Sequence, residues 1–102
     1  MSQICFAPKE VKSWYLSRNL ANTFDRIELR LPESESDGNK AAVVLECGSF
    51  LASFTVWGSG TTEWIVVNGE SGETVIVRDS TFTDVSTLYS LLDAAIEELL
   101  QL

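Results

Sequence analysis

The spacing of apolar residues along this chain switches from a helical period to an alternating one and back, and each switch marks an element. Val11, Trp14, Tyr15 and the stem of Arg18 recur at i, i+3, i+4 and i+7, one face of a helix that Pro8 opens and Asn22 ends. Leu16 and Leu20 widen that face. From Thr23 to Leu31 the period becomes two, with Ile27, Leu29 and Leu31 on one side and Arg26, Glu28 and Arg30 on the other. This pattern predicts a half-buried strand with a charged outer row, stopped by Pro32. Glu33–Asn39 (ESESDGN) is polar, acidic and closed by Asp-Gly-Asn, the composition of an exposed loop.

Runs rich in β-branched and aromatic residues follow at short intervals: Ala41–Cys47, Phe50–Trp57, Thr62–Asn68 and Thr74–Asp79. Gly48-Ser49, Gly58-Ser59-Gly60 and Asn68-Gly69-Glu70-Ser71-Gly72 separate them, and connections this short join antiparallel neighbours. The expected sheet is a meander of about five strands. Thr83–Leu102 returns to the helical period. Thr83 or Asp84 stands at its cap, and Val85, Leu88, Leu92, Ala95, Ile96 and Leu99 form its apolar stripe. The fold class is α+β, one domain over residues 1–102, with the N-terminal and C-terminal helices packed on one sheet face and the other face wet.

A hydrophobic content of 45% excludes a disordered acidic tail. No apolar run approaches the ~18 residues of a membrane span, and the opening MSQICFAPKEVK has no signal-peptide core. A cytoplasmic protein, with Cys5 and Cys47 reduced, is the expectation. The sequence contains no histidine, which removes histidine-based nucleophilic catalysis and histidine metal ligation, and two cysteines cannot build a zinc site. No glycine-rich phosphate loop is present. Neither enzymatic activity nor a cofactor or metal is expected.

Charge narrows the function further. The first forty residues are balanced, whereas beyond Lys40 a single base, Arg78, faces nine acids, so this part of the chain carries the whole net charge of −8. Such a field disfavours nucleic acid and anionic membrane and speeds encounter with a basic protein. Glu63, Glu70, Glu73 and Asp79 cluster by sequence around the last two hairpins, as a solvated rim or as a surface matched to a cationic cleft. Trp57 and Trp64 flank one turn and are placed to approach each other across strands. Each either packs the sheet or serves as an exposed anchor of the kind that dominates interfaces. Glu97 and Glu98 fall on the solvent side of the last helix, while Glu33, Glu35 and Asp37 solvate the long loop.

The stretch from Phe54 to Glu73 resembles the centre of the TriTu family of bacterial immunity proteins. The matching elements are Val56-Trp57-Gly58-Ser59-Gly60, Glu63 and Ser71-Gly72-Glu73, joined by Trp14-Tyr15 in the first helix and the leucine-rich closing helix. The resemblance implies an antitoxin that binds and neutralises a co-encoded effector delivered between competing bacteria, type VI secretion being the route it suggests. The partner it implies is an ADP-ribosyltransferase toxin. On this reading a monomer forms a 1:1 complex that occludes the toxin's basic active-site cleft, with Trp57, Glu63, Trp64, Glu70, Glu73 and Asp79 as the toxin-binding residues. The rival is an acidic secretion chaperone or adaptor, small and α+β but dimeric, which holds an unfolded segment of an effector.

Overall fold

The computed structural model describes residues 7–18, 24–30 and 40–102. Leu20, Asn22, Thr23, Leu31, Pro32, Cys5 and the acidic loop 33–39 lie outside the described residues. Helix α1 (Ala7–Arg18) is followed by strands β1 (Arg26–Arg30), β2 (Lys40–Cys47), β3 (Phe50–Trp57), β4 (Thr61–Asn68) and β5 (Thr74–Thr81), then helix α2 (Val85–Leu100). The strands form one antiparallel sheet in the order β1-β2-β3-β4-β5, the meander that short connections impose. At the β2–β3 turn Gly48 adopts φ 61°, and its N–H donates to the Asp25 carboxylate at 2.7 Å. A side chain at φ 61° would meet the left-handed penalty that glycine escapes.

Strand parity divides the sheet into two faces. Ala41, Val43 and Leu45 of β2, Ala52, Phe54 and Val56 of β3, and Trp64 and Val66 of β4 are buried, together with Val11 and Trp14 of α1 and Leu88, Leu92, Ala95 and Leu99 of α2. Both helices therefore cover the same face. Leu16, expected to widen the buried stripe of α1, is 65% exposed, because Val11 and Trp14 at i and i+3 already fill the contact with the sheet. β5 runs to Thr81, beyond the expected Asp79. α2 starts at Val85, where the Asp84 carboxylate accepts the Thr87 N–H at 2.7 Å. That bond holds the Asp84 carboxyl below its usual range.

Two buried tryptophans fix α2 in place through the same device. The Trp14 indole N–H donates to Asp93 Oδ1 at 2.8 Å, and Arg18 forks the same carboxylate through Nε and Nη2 at 2.9 and 2.8 Å. One strand layer away, the Trp64 indole N–H donates to Glu98 Oε1 at 3.0 Å, and Arg78 forks Glu98 from β5. Arg18 also stands 6.0 Å from the centre of the Trp14 ring and 5.8 Å from that of Tyr89. The Tyr89 hydroxyl donates to the Glu10 carbonyl at 3.2 Å, tying α2 to α1 again. Burial, with the Glu10 carboxylate nearby, raises the pKa of that hydroxyl. Glu98 thus differs from the solvent-facing role that its place outside the apolar stripe predicted: it sits at the boundary where an indole below and a guanidinium beside it can both reach.

The arginine hydrogen bonds, aided by those from the indoles, hold Asp93 and Glu98 below the ordinary carboxylate range. In the window between native and unfolded pKa the unfolded chain binds more protons, so stability rises with pH there. The contribution of the two groups is fully present above the ordinary carboxylate range and is lost as pH falls through that range to their depressed native values. Asp93→Asn and Glu98→Gln each keep an acceptor for the indole but remove the charge. Each should lower the melting temperature at pH 7 and flatten its decline toward pH 3. Wild-type-like acid sensitivity in the double variant would show that other carboxylates dominate.

Candidate functional site: the open face of the sheet

The face opposite the helices has no covering layer among the described residues, and the strand register orders it into rows. One row reads Arg26, Glu46, Leu51, Val67, and the next reads Glu28, Val44, Ser53, Ile65, Val77. The third reads Arg30, Ala42, Thr55, Glu63, Asp79, and the last Lys40, Trp57, Thr61, Thr81. The expected wet face is therefore not uniformly polar. Leu51 is 45% exposed and Val77 62%, with Val44, Ile65 and Val67 half-buried between them. An apolar band of exposed and half-buried side chains thus runs from β2 to β5, a candidate interaction surface.

Charge on this face is segregated. At the β1 edge Arg26 and Arg30 are drawn into ion pairs with Glu28 at 3.3 and 3.1 Å, and Arg26 also approaches Glu46 at 3.6 Å. At the opposite edge Glu63 of β4 lies directly across from Asp79 of β5, and neither belongs to any ion pair among the described residues. Like charges directly opposed on one face destabilise a sheet. Trp57, half-buried, flanks these acids; Lys40 stands 5.9 Å from the centre of its ring. Trp57, Thr61, Glu63, Asp79 and Thr81 line a shallow depression at this corner.

The six residues singled out from the sequence do not form one cluster. Trp57, Glu63 and Asp79 converge at the corner just described. Trp64 faces the other way: it is 3% exposed, opposite Arg78 in the register and tilted against Phe54 with ring centres 5.9 Å apart. Trp57 and Trp64 do not meet across strands, because Trp57 pairs with Thr61 and Trp64 with Phe54. Odd and even positions point to opposite faces, and the three-residue turn 58–60 sets that register. Glu70 and Glu73 belong to the β4–β5 turn, at the far end from Trp57, with about 17 Å of strand between Glu63 and Asn68. In that turn the Asn68 side chain accepts the Glu70 and Ser71 N–H groups at 2.9 and 3.2 Å. Sequence reading missed the apolar band, although the alternation that put Ile65 and Val67 opposite Trp64 already contained it.

The sequence profile of the immunity protein TriTu matches residues 9–98. The chain belongs to the TriTu immunity-protein family. No curated protein matches it. Among the described residues no helix is long and apolar enough to cross a membrane, and no cluster of three or more histidine, cysteine, aspartate and glutamate side chains is placed to hold a metal.

The two tryptophans should separate cleanly on substitution. Trp64→Ala removes a buried ring and leaves Glu98 and Arg78 without their indole, and should cost about 3–5 kcal/mol in chemical denaturation. Trp57→Ala should shift stability by less than about 1 kcal/mol. A larger loss for Trp57→Ala than for Trp64→Ala would reverse the assignment of the two faces.

Proposed function

We propose that this protein is a cytoplasmic immunity protein that neutralises its cognate toxin by lying over the active site, without a catalytic step of its own. The observation that carries this reading is the opposed Glu63–Asp79 pair beside Trp57, on a bare face in a chain of the TriTu family. Two carboxylates kept face to face without a cation weaken an isolated sheet, and a guanidinium or ammonium from a partner would relieve that repulsion. Trp57 supplies an aromatic anchor next to the charge, and the apolar band supplies area to be dried on contact. The toxin carries a basic substrate cleft and, on the family resemblance, is an ADP-ribosyltransferase. One monomer covers one toxin. Glu70 and Glu73, at the other end of β4, act through the long-range field and not through the same contact.

Net charge of −8 adds steering to docking. Replacing Glu63 and Asp79 together by lysine should slow association with the toxin encoded beside this chain by about tenfold or more at low salt, and abolish protection in cells expressing that toxin. Replacing Glu70 and Glu73 together should slow association less and leave dissociation unchanged. Stopped-flow binding reads both. Full protection by the Glu63/Asp79 variant would remove this corner from the interface. A dimer holding an unfolded client on gel filtration would replace the inhibitor reading by that of a chaperone.

A further inference from the structure

The two edges of the sheet are not equivalent. β1 is five residues long and carries three charged side chains on its open face, features that discourage further pairing. β5 is eight residues long, almost wholly exposed and free of proline, and among the described residues no strand lies beyond it. The Phe82 N–H donates to the Gly60 carbonyl at 2.8 Å. The two-residue period of an antiparallel ladder then turns the backbone groups of Ile76, Arg78 and Ser80 toward β4 and those of Val77, Asp79 and Thr81 outward. The outward residues are the same ones whose side chains join the open face. On the helix side a shallow depression lies between Arg78 of β5 and α2, lined there by Asp93, Ala94, Glu97, Glu98 and Gln101.

We propose that the β5 edge captures an extended, basic segment of the toxin as a sixth strand. This deepens the immunity reading and rests on it. Main-chain hydrogen bonds to Val77, Asp79 and Thr81 would hold the added strand. Its alternate side chains would fall on two acidic surfaces. One row lies beside Val77 and Asp79 on the open face, which selects an apolar residue and a lysine or arginine two positions apart. The other row enters the depression beside Glu97. Arg78, the only base on β5, is already engaged by Glu98 and does not oppose a cationic guest. A second copy of this chain is a poorer occupant, since each copy brings a charge of −8.

Amide hydrogen exchange by NMR, with a catalytically inactive form of the toxin domain encoded beside this chain, tests the proposal at single-residue resolution. Binding should slow exchange at Val77, Asp79 and Thr81 by at least about tenfold, while Arg78 and Ser80, already bonded to β4, change little. Val77→Pro deletes an outward N–H without touching the β4 ladder. It should keep the melting temperature within a few degrees and weaken toxin binding by about tenfold, whereas Val77→Thr should bind as the wild type does. Tight, protective binding with unaltered exchange at Val77, Asp79 and Thr81 would overturn strand capture and leave the immunity reading standing. Absence of any toxin binding would overturn both. Slowed exchange that appears in the free protein as its own concentration rises would assign the edge to a second copy and overturn the proposal.

Discussion

Two indole N–H groups buried under a single sheet are the constraint around which this fold is arranged. A tryptophan ring gives a small domain a large apolar area to bury, but its N–H must find an acceptor. Here Trp14 and Trp64 come from different layers, α1 and β4, and both find their acceptor on α2. Asp93 and Glu98 are five residues apart on that helix, at the margin of its apolar stripe, and each is forked by an arginine from a neighbouring element. The arginines offset the cost of carboxylates brought close to the core, and the paired bonds set the position of α2 along the sheet. Among the described residues no buried side-chain nitrogen or oxygen lacks a partner, so the core is closed in polar as well as apolar terms.

The same arrangement decides where charge remains available. Arg18 and Arg78 are spent inside the fold, on Asp93 and Glu98, and Arg26 and Arg30 are spent at the β1 edge on Glu28 and Glu46. Among the described residues the unpaired acids Glu63 and Asp79 lie at the β4–β5 end of the open face, while Lys40, the unpaired base on that face, stands over Trp57. With both helices on one face, the other face keeps its apolar band, its Trp57 and its opposed carboxylates together, with no covering layer among the described residues. Ionisable groups thus fall into paired ones, around α2 and at the β1 edge, and the unpaired Glu63 and Asp79 at the opposite edge of the bare face.

This division suits an immunity protein. A rigid sheet presents its contacts without a folding step on encounter, so little ordering entropy opposes binding. An exposed edge would add directional hydrogen bonding to the proposed recognition by shape and charge. The family assignment points to a molecule that neutralises a toxin, and covering it with the bare, acidic face is the mechanism we propose.

Local sequence determined most of the elements. Alternation in Phe50–Trp57 and the 3.6-residue period of α2 predicted those segments because side-chain periodicity is a property of neighbouring residues, and Gly48 marked its turn because the backbone there takes a positive φ. The acidic bias toward the C-terminus was equally legible, being a count. Tertiary structure alone decided which carboxylates are free and which tryptophan is outside. Glu98 lost its solvent role to Trp64 and Arg78, residues 34 and 20 positions away in the chain. Glu63 met Asp79, and parted from Glu70 and Glu73, through the register of β4 against β5. Periodicity sorts residues into two rows but does not say which row the helices will cover; that is settled only when distant segments compete to bury the same face.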